Sequence, residues 1–131
     1  MNKPEGQTQE RLLSTTKQKG DAAEDRALHY LQAQGLKLMQ RNYRTPGRGG
    51  GEIDLIMRDT DGTLVFVEVR QRASAKHGGA LASVTVGKQR RIAFAAQYYL
   101  LKFRQLPPCR FDVVAVEGEK LLWFRAAFDV Q

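Results

Sequence analysis

Cysteine is almost missing from this chain. Cys109 stands alone among 131 residues, so no internal disulfide can form. With only His29 and His77 beside it, there is no thiolate or imidazole cluster to hold zinc. Long apolar runs are missing too: none approaches the roughly 20 residues that cross a bilayer. The opening MNKPEGQTQERLLSTTKQKG lacks the apolar centre of a secretory signal. The expectation is a cytoplasmic protein with no membrane partner. Acidic residues are scarce, 14 against 21 Lys and Arg, for a formal charge of +7. What remains, 42% hydrophobic and 27% charged, is an ordinary globular mixture that excludes wholesale disorder and collagen-like or coiled-coil repeats. A chain of this length builds one core and not two. Residues 1–16, without periodicity, are expected as a disordered tail, and residues 17–131 as a single domain.

The acids are also missing locally. Between Val69 and Phe111 there is neither Asp nor Glu, while Arg70, Arg72, Lys76, Lys88, Arg90, Arg91, Lys102, Arg104 and Arg110 all fall in that block. A second acid-free stretch holds Lys37, Arg41, Arg44 and Arg48. Such segregation suits a surface that neutralises the phosphates of a nucleic acid; the alternative is a set of solvated cations that share no face.

Periodicity supplies the elements. Ala23, Ala27, Leu28 and Leu31 form one stripe of a helix over 17–34, with Glu24 on that stripe and Gly35 as its stop. Leu36 to Arg44 reads as a strand, and TPGRGGG as a turn before a second strand, GEIDLIM. Asp59, Asp61 and Gly62 mark a hairpin turn, and TLVFVEVRQ reads as a central strand. Arg72 to Val84 reads as a mobile loop. Thr85 can cap a helix from Gly87 to Phe103, which is apolar nearly all round from Ile92 and so expected to be mostly buried. Pro107 and Pro108 stop it, and CRFDVVAV and KLLWFRA follow as strands. The order α-β-β-β-α-β-β implies an α/β or α+β fold, a sheet flanked by helices.

Three carboxylates interrupt apolar strands: Glu52 and Asp54 in GEIDLI, and Glu68 in FVEVR. Acids are disfavoured in strands and costly to bury unpaired, so their positions need a cause. Alternation puts Glu52, Asp54 and Ile56 on one face, and Glu68 with Phe66 and Arg70 on one face. If the short turn pairs the two strands, Asp54 and Glu68 converge, and two convergent carboxylates suit Mg²⁺ or Mn²⁺. Glu24 can reach the same place. The alternative pairs these acids with arginines such as Arg44 or Arg70 as structural ion pairs.

The helix from Gly20 with its Glu24, then GEIDLI, VFVEVR, the Gly-Gly loop, TVGKQRRI and RFDVV, taken together, resemble the YraN family of bacterial proteins over nearly all of the chain but the tail. That family in turn resembles the restriction-endonuclease-like superfamily, in particular its Holliday-junction-resolvase branch, whose signature is Asp, a variable gap, then Glu-x-Lys on adjacent strands. The resemblance implies a central mixed sheet flanked by helices and a metal-dependent phosphodiesterase. Asp54 would match the Asp and Glu68 the Glu. Arg70 stands where the superfamily has Lys. Asp54, Glu68 and the Val69 carbonyl would hold Mg²⁺ or Mn²⁺, with Glu24 completing the site. Arg70 can stabilise a phosphorane bidentately but is too basic to act as a deprotonated base.

Lys88, Arg90 and Arg91 crowd the first turns of the second helix, where the macrodipole disfavours cations unless an anion binds. With the helix amides they can grip a nucleic-acid backbone, assisted by Gln89 and Arg72; a screened, solvent-exposed helix end is the plainer alternative. Other features carry less. RGGGE lacks the Lys-Ser or Lys-Thr of a phosphate-binding loop and reads as a turn. Phe94, Tyr98, Tyr99 and Phe103 are expected in the core rather than against bases. Asp112 either joins the acidic site or pairs with Arg110 or Arg125. Trp123 and Phe124 cannot both face inward on one strand, so one of them covers an edge or contacts a second copy in a homodimer. The functional expectation is a Mg²⁺-dependent endonuclease acting on DNA, branched DNA included; the rival is a DNA- or RNA-binding module of the same fold with weak or no catalysis.

Overall fold

A computed structural model of the chain describes residues 16–72 and 79–129, so residues 1–15 of the expected tail lie outside the described residues. Helix α1 (Thr16–Ala33) buries the expected stripe: Ala23, Ala27, Leu28 and Leu31 are all buried. It stops at Gly35, whose φ of +100° any side chain would resist, and the Leu36 amide returns to the Leu31 carbonyl at 3.1 Å. Three strands then run antiparallel: β1 (Lys37–Arg44), β2 (Glu52–Arg58) and β3 (Leu64–Arg72). A crossover through α2 (Gly79–Ala82) and α3 (Val86–Leu100) brings β4 (Cys109–Glu117) parallel to β3, and β5 (Lys120–Phe128) returns antiparallel. The five-stranded mixed sheet has the order β1-β2-β3-β4-β5, with β3 central and its residues Leu64 to Glu68 buried. This is the expected order with one short helix added.

Each sheet face carries its own core. On the α1 side, Leu31 packs with Leu55, Met57, Val65, Val67 and Val114. On the α3 side, Ile92, Ala95 and Tyr99 pack with Ile53, Ile56, Phe66 and Val113. Thr85 caps α3 as expected, its hydroxyl accepting from the Lys88 amide at 3.1 Å. Helix α3 comes so close to the start of β2 that a Cβ on Gly51 would lie 1.9 Å from the Arg91 carbonyl oxygen. The RGGGE glycines therefore serve close packing as well as a turn.

Four expectations need correction. The loop read from Arg72 to Val84 is shorter: Arg72 ends β3 and Ala80 is buried in α2, while residues 73–78 lie outside the described residues. Helix α3 ends at Leu100 rather than Phe103, and it is not buried all round, because it packs on the sheet with one face only. Phe94 and Tyr98 consequently lie exposed, and of the four aromatics expected in the core Tyr99 is buried and Phe103 half-buried. Finally, Ile56 does not share a side with Glu52 and Asp54: it packs under α3, whereas they open beside α1. The alternation slips there, next to Asn42 on the neighbouring strand, whose φ is +53°.

Candidate active site

Because β2 and β3 pair with Leu55 opposite Val67 and Ile56 opposite Phe66, Asp54 and Glu68 are the next two residues in register. The expected convergence follows. Asp54 Oδ2 accepts from the Val69 amide at 2.8 Å, and the Asp54 and Glu68 carboxyl groups are within hydrogen-bonding reach of each other. Glu68 is only 3% exposed. One of its oxygens, Oε2, meets Arg70 Nη1 at 3.3 Å and Lys88 Nζ at 3.4 Å. Arg70 is itself braced by Ser83 Oγ, which accepts from its Nε at 3.1 Å. Lys88 thus reaches from the first turn of α3 into the carboxylate site.

Glu24 approaches from α1. Together with Asp21, Asn42, Arg44, Glu52 and Asp54 it lines an open cleft of about 370 Å³. Its Oε1 lies 3.4 Å from Arg41 Nε, and Arg41 also reaches Asp25 Oδ1 at 2.7 Å. Glu52 pairs with Arg44 at 3.6 Å. Structural ion pairs therefore account for part of what Glu24, Glu52 and Glu68 do. They do not account for Asp54, which has no Lys or Arg within 4 Å among the described residues.

The electrostatics single out the same acids. Burial first, and the Asp54 charge second, push Glu68 up to about 7 against the pull of Lys88 and Arg70. Burial raises Asp54 as well, opposed by the Val69 amide and Lys88. Glu24 rises to about 7, again through burial and then Asp54, against its bond to Arg41. Two carboxyl groups, Glu68 and Glu24, that hold protons into the neutral range, each sensing Asp54, form with it a site short of positive charge. Among the described residues no three His, Cys, Asp or Glu side chains stand together as a ready metal-ligand set.

The remaining expected residues are placed as follows. Gln89 donates its side-chain amide to the Val84 carbonyl at 3.0 Å, bracing the turn before α3. Arg72 binds the Gly79 carbonyl and so ties β3 to α2. Arg91 is exposed on α3 beside Gly51. Asp112 does not join the acidic cleft. It is fully buried, and its two oxygens accept from Arg110 Nε at 3.1 and 3.2 Å, from Trp123 Nε1 at 2.9 Å and from the Ala126 amide at 2.9 Å. Ala126 adopts a φ of +49° where β4 and β5 slip register, which aims its N–H at Asp112. Arg110 Nη1 continues the network to Asp59 at 3.0 Å. Of the two roles open to Asp112, pairing with Arg110 is the one observed. Arg41, Asn42 and Ser83 took no part in the sequence reading of the site; only the fold brings them there.

Comparison with known proteins finds sequence relatives over nearly the same residues. A model of the uncharacterised protein family UPF0102 matches residues 23–116, from α1 through most of β4. A UPF0102 protein of Albidiferax ferrireducens is 67% identical over 89% of this chain and 91% of its own. One from Paracidovorax citrulli is 66% identical over 88% of this chain and 86% of its own, and one from Acidovorax sp. (strain JS42) is 64% identical over 88% and 87%. The matched span includes GEIDLI, VFVEVR and RFDVV, the motifs that carried the family resemblance and its nuclease-like fold.

Proposed function

The chain belongs to the uncharacterised protein family UPF0102, and on that footing we propose that it is a divalent-cation-dependent endonuclease that hydrolyses phosphodiester bonds in DNA, branched DNA included, in the cytoplasm. The observation that carries the reading is Asp54: a half-buried carboxylate beside a fully buried one, Glu68, with no cation of the protein within 4 Å among the described residues. Burying two neighbouring acids is costly unless protons or a cation offset their repulsion.

The donor set fits the hard cations. Mg²⁺ keeps several waters and is commonly held by one or two carboxylates plus substrate phosphates, so a two-carboxylate core suits it. Asp54, Glu68 and the Val69 carbonyl would hold Mg²⁺ or Mn²⁺, with Glu24 reaching in from α1 directly or through water. When bound, such a cation polarises a phosphoryl oxygen and lowers the pKa of water. The protein's own groups do the rest. Arg70, fixed by Ser83 and Glu68, presents a bidentate cation to the charge that builds on the phosphate. Lys88 supplies from a helix the ammonium that the Glu-x-Arg strand lacks. Arg91 and the amides at the start of α3 hold the flanking backbone, with Gln89 and Arg72 bracing the segments around them.

One observation favours a second reading, a nucleic-acid-binding module without efficient catalysis: Arg70 and Lys88 already neutralise Glu68. Titration with Mn²⁺ and cleavage assays on linear, flapped and four-way-junction DNA separate the two. Cation binding and cleavage that both vanish in Asp54→Ala support the nuclease; DNA binding without cleavage supports the module.

A further inference from the structure

Helix α3 turns a row of apolar side chains toward solvent. Phe94, Tyr98 and Leu101, spaced at i, i+4 and i+7, are 51%, 41% and 76% exposed, while Ile92, Ala95, Ala96 and Tyr99 fill the opposite face. Packing of the domain therefore gives no reason for two aromatic rings there. Their surroundings are cationic: Arg90 and Arg91 lie one turn before Phe94, and Lys102 and Arg104 follow Leu101. Neither Arg90, Arg91 nor Arg104 has a carboxylate partner among the described residues, and no acid occurs from Val69 to Phe111.

We infer that this face of α3 binds the unpaired bases of a nucleic-acid strand, with Phe94 and Tyr98 as stacking platforms and the flanking Arg and Lys side chains on the phosphates. The inference rests on the nuclease reading only in taking nucleic acid as the partner, and it specifies the substrate: DNA with a single-stranded segment next to the scissile bond. Three observations support it. Aromatic faces interleaved with cations are what an unpaired strand needs, because any base can stack and every phosphate needs a counter-charge. The same helix reaches the acidic site from its sheet-facing side: Lys88, which touches Glu68, precedes Phe94 by six residues, about 9 Å along the axis. On the sheet side, Tyr43 lines an open groove of about 380 Å³ with Tyr98, Leu101 and Lys102, while its neighbours Asn42 and Arg44 line the cleft of Asp54. A second copy of the chain fits less well, since a two-fold contact would set this acid-free cationic patch against itself.

The test is binding of the full-length chain in EDTA, so that cleavage plays no part, to a dT20 strand and to a blunt 20-base-pair duplex. Wild type is compared with Phe94→Ala/Tyr98→Ala and with Phe94→Tyr/Tyr98→Phe. Melting temperatures serve as the folding control, and both rings are exposed enough for their removal to be tolerated. The alanine pair is expected to weaken dT20 binding by about tenfold or more per ring, to leave duplex binding within about twofold, and to keep the salt dependence. The conservative pair should bind as wild type. Undiminished dT20 binding by the alanine pair overturns this proposal alone and leaves the nuclease reading standing. A wild-type dimer that the alanine pair converts to monomers, with dT20 binding unchanged, overturns it in favour of a contact between copies. Ring-dependent dT20 binding in a protein that cleaves nothing supports the stacking face while overturning the nuclease.

Discussion

Lys88 Nζ lies 3.4 Å from Glu68 Oε2, the oxygen that Arg70 Nη1 also reaches at 3.3 Å. Both cations converge on one carboxylate oxygen, and Asp54, next in register, receives neither. The site is thus charged unevenly, and the consequences are measurable.

Removing the acidity of Glu68 should stabilise the metal-free protein. A carboxyl raised from 4.5 to about 7 in the folded state contributes stability that is full below pH 4.5 and is lost as pH rises through about 7. In EDTA the wild type should therefore melt lower at pH 8 than at pH 5, and Glu68→Gln should flatten that slope, gaining roughly 1–3 kcal/mol at pH 8. The same variant should lose its response to Mn²⁺. Parallel melting profiles for the two proteins would remove the strain assigned to this pair.

Arg70 and Lys88 should separate from the cation in their effects. Each alanine substitution is expected to lower single-turnover cleavage by about 100-fold while changing Mn²⁺ affinity little, and Arg70→Lys should retain activity. Were either residue only a structural partner of Glu68, its alanine variant would lose melting temperature, and activity would follow the folded fraction.

Much of this was legible in the sequence, for reasons that particular residues make plain. Glu68 stands in a run, LVFVEVR, whose β-branched content leaves little doubt of a central strand, and alternation then fixes its neighbours Phe66 and Arg70. Pairing through Gly62 brings Asp54 opposite. Alternation misplaces Ile56 because it assumes a regular strand, whereas Ile53 and Leu55, two residues apart around Asp54, turn to opposite faces of the sheet. Phe94 and Tyr98 were misread because composition shows that a helix is apolar but not which side meets the sheet. The contact of Gly51 with Arg91 settles that. Arg41 and Ser83 reach the site from residues 17 and 13 positions away from their partners, and no local pattern encodes such contacts.

Gly51→Ala should be destabilising by ~2–3 kcal/mol. The added Cβ meets the Arg91 carbonyl oxygen at 1.9 Å and its carbon at 2.8 Å, and helix backbone cannot swing aside as a side chain can. Denaturant unfolding gives the value. A substitution at Gly49, where a Cβ meets nothing within 4 Å but φ is +71°, is the comparison that isolates contact from backbone strain.

Asp112 should prove structural. Asp112→Ala leaves Arg110 with Asp59 alone and the Trp123 and Ala126 N–H groups without their acceptor, a loss of about 3–5 kcal/mol. The folded fraction should bind Mn²⁺ as wild type does. A variant with normal stability and no Mn²⁺ response would instead move Asp112 into the site.

The most direct measurement is cleavage of linear, flapped and four-way-junction DNA by the purified full-length chain, with Mg²⁺, with Mn²⁺ and with EDTA, beside Asp54→Ala. Cation-dependent cleavage of a structured substrate is expected from the wild type, with none in EDTA and at least about 100-fold less from the folded variant. Equal cleavage by wild type and Asp54→Ala, or none by the wild type on any substrate with either cation, would contradict a catalytic role for the Asp54–Glu68 pair.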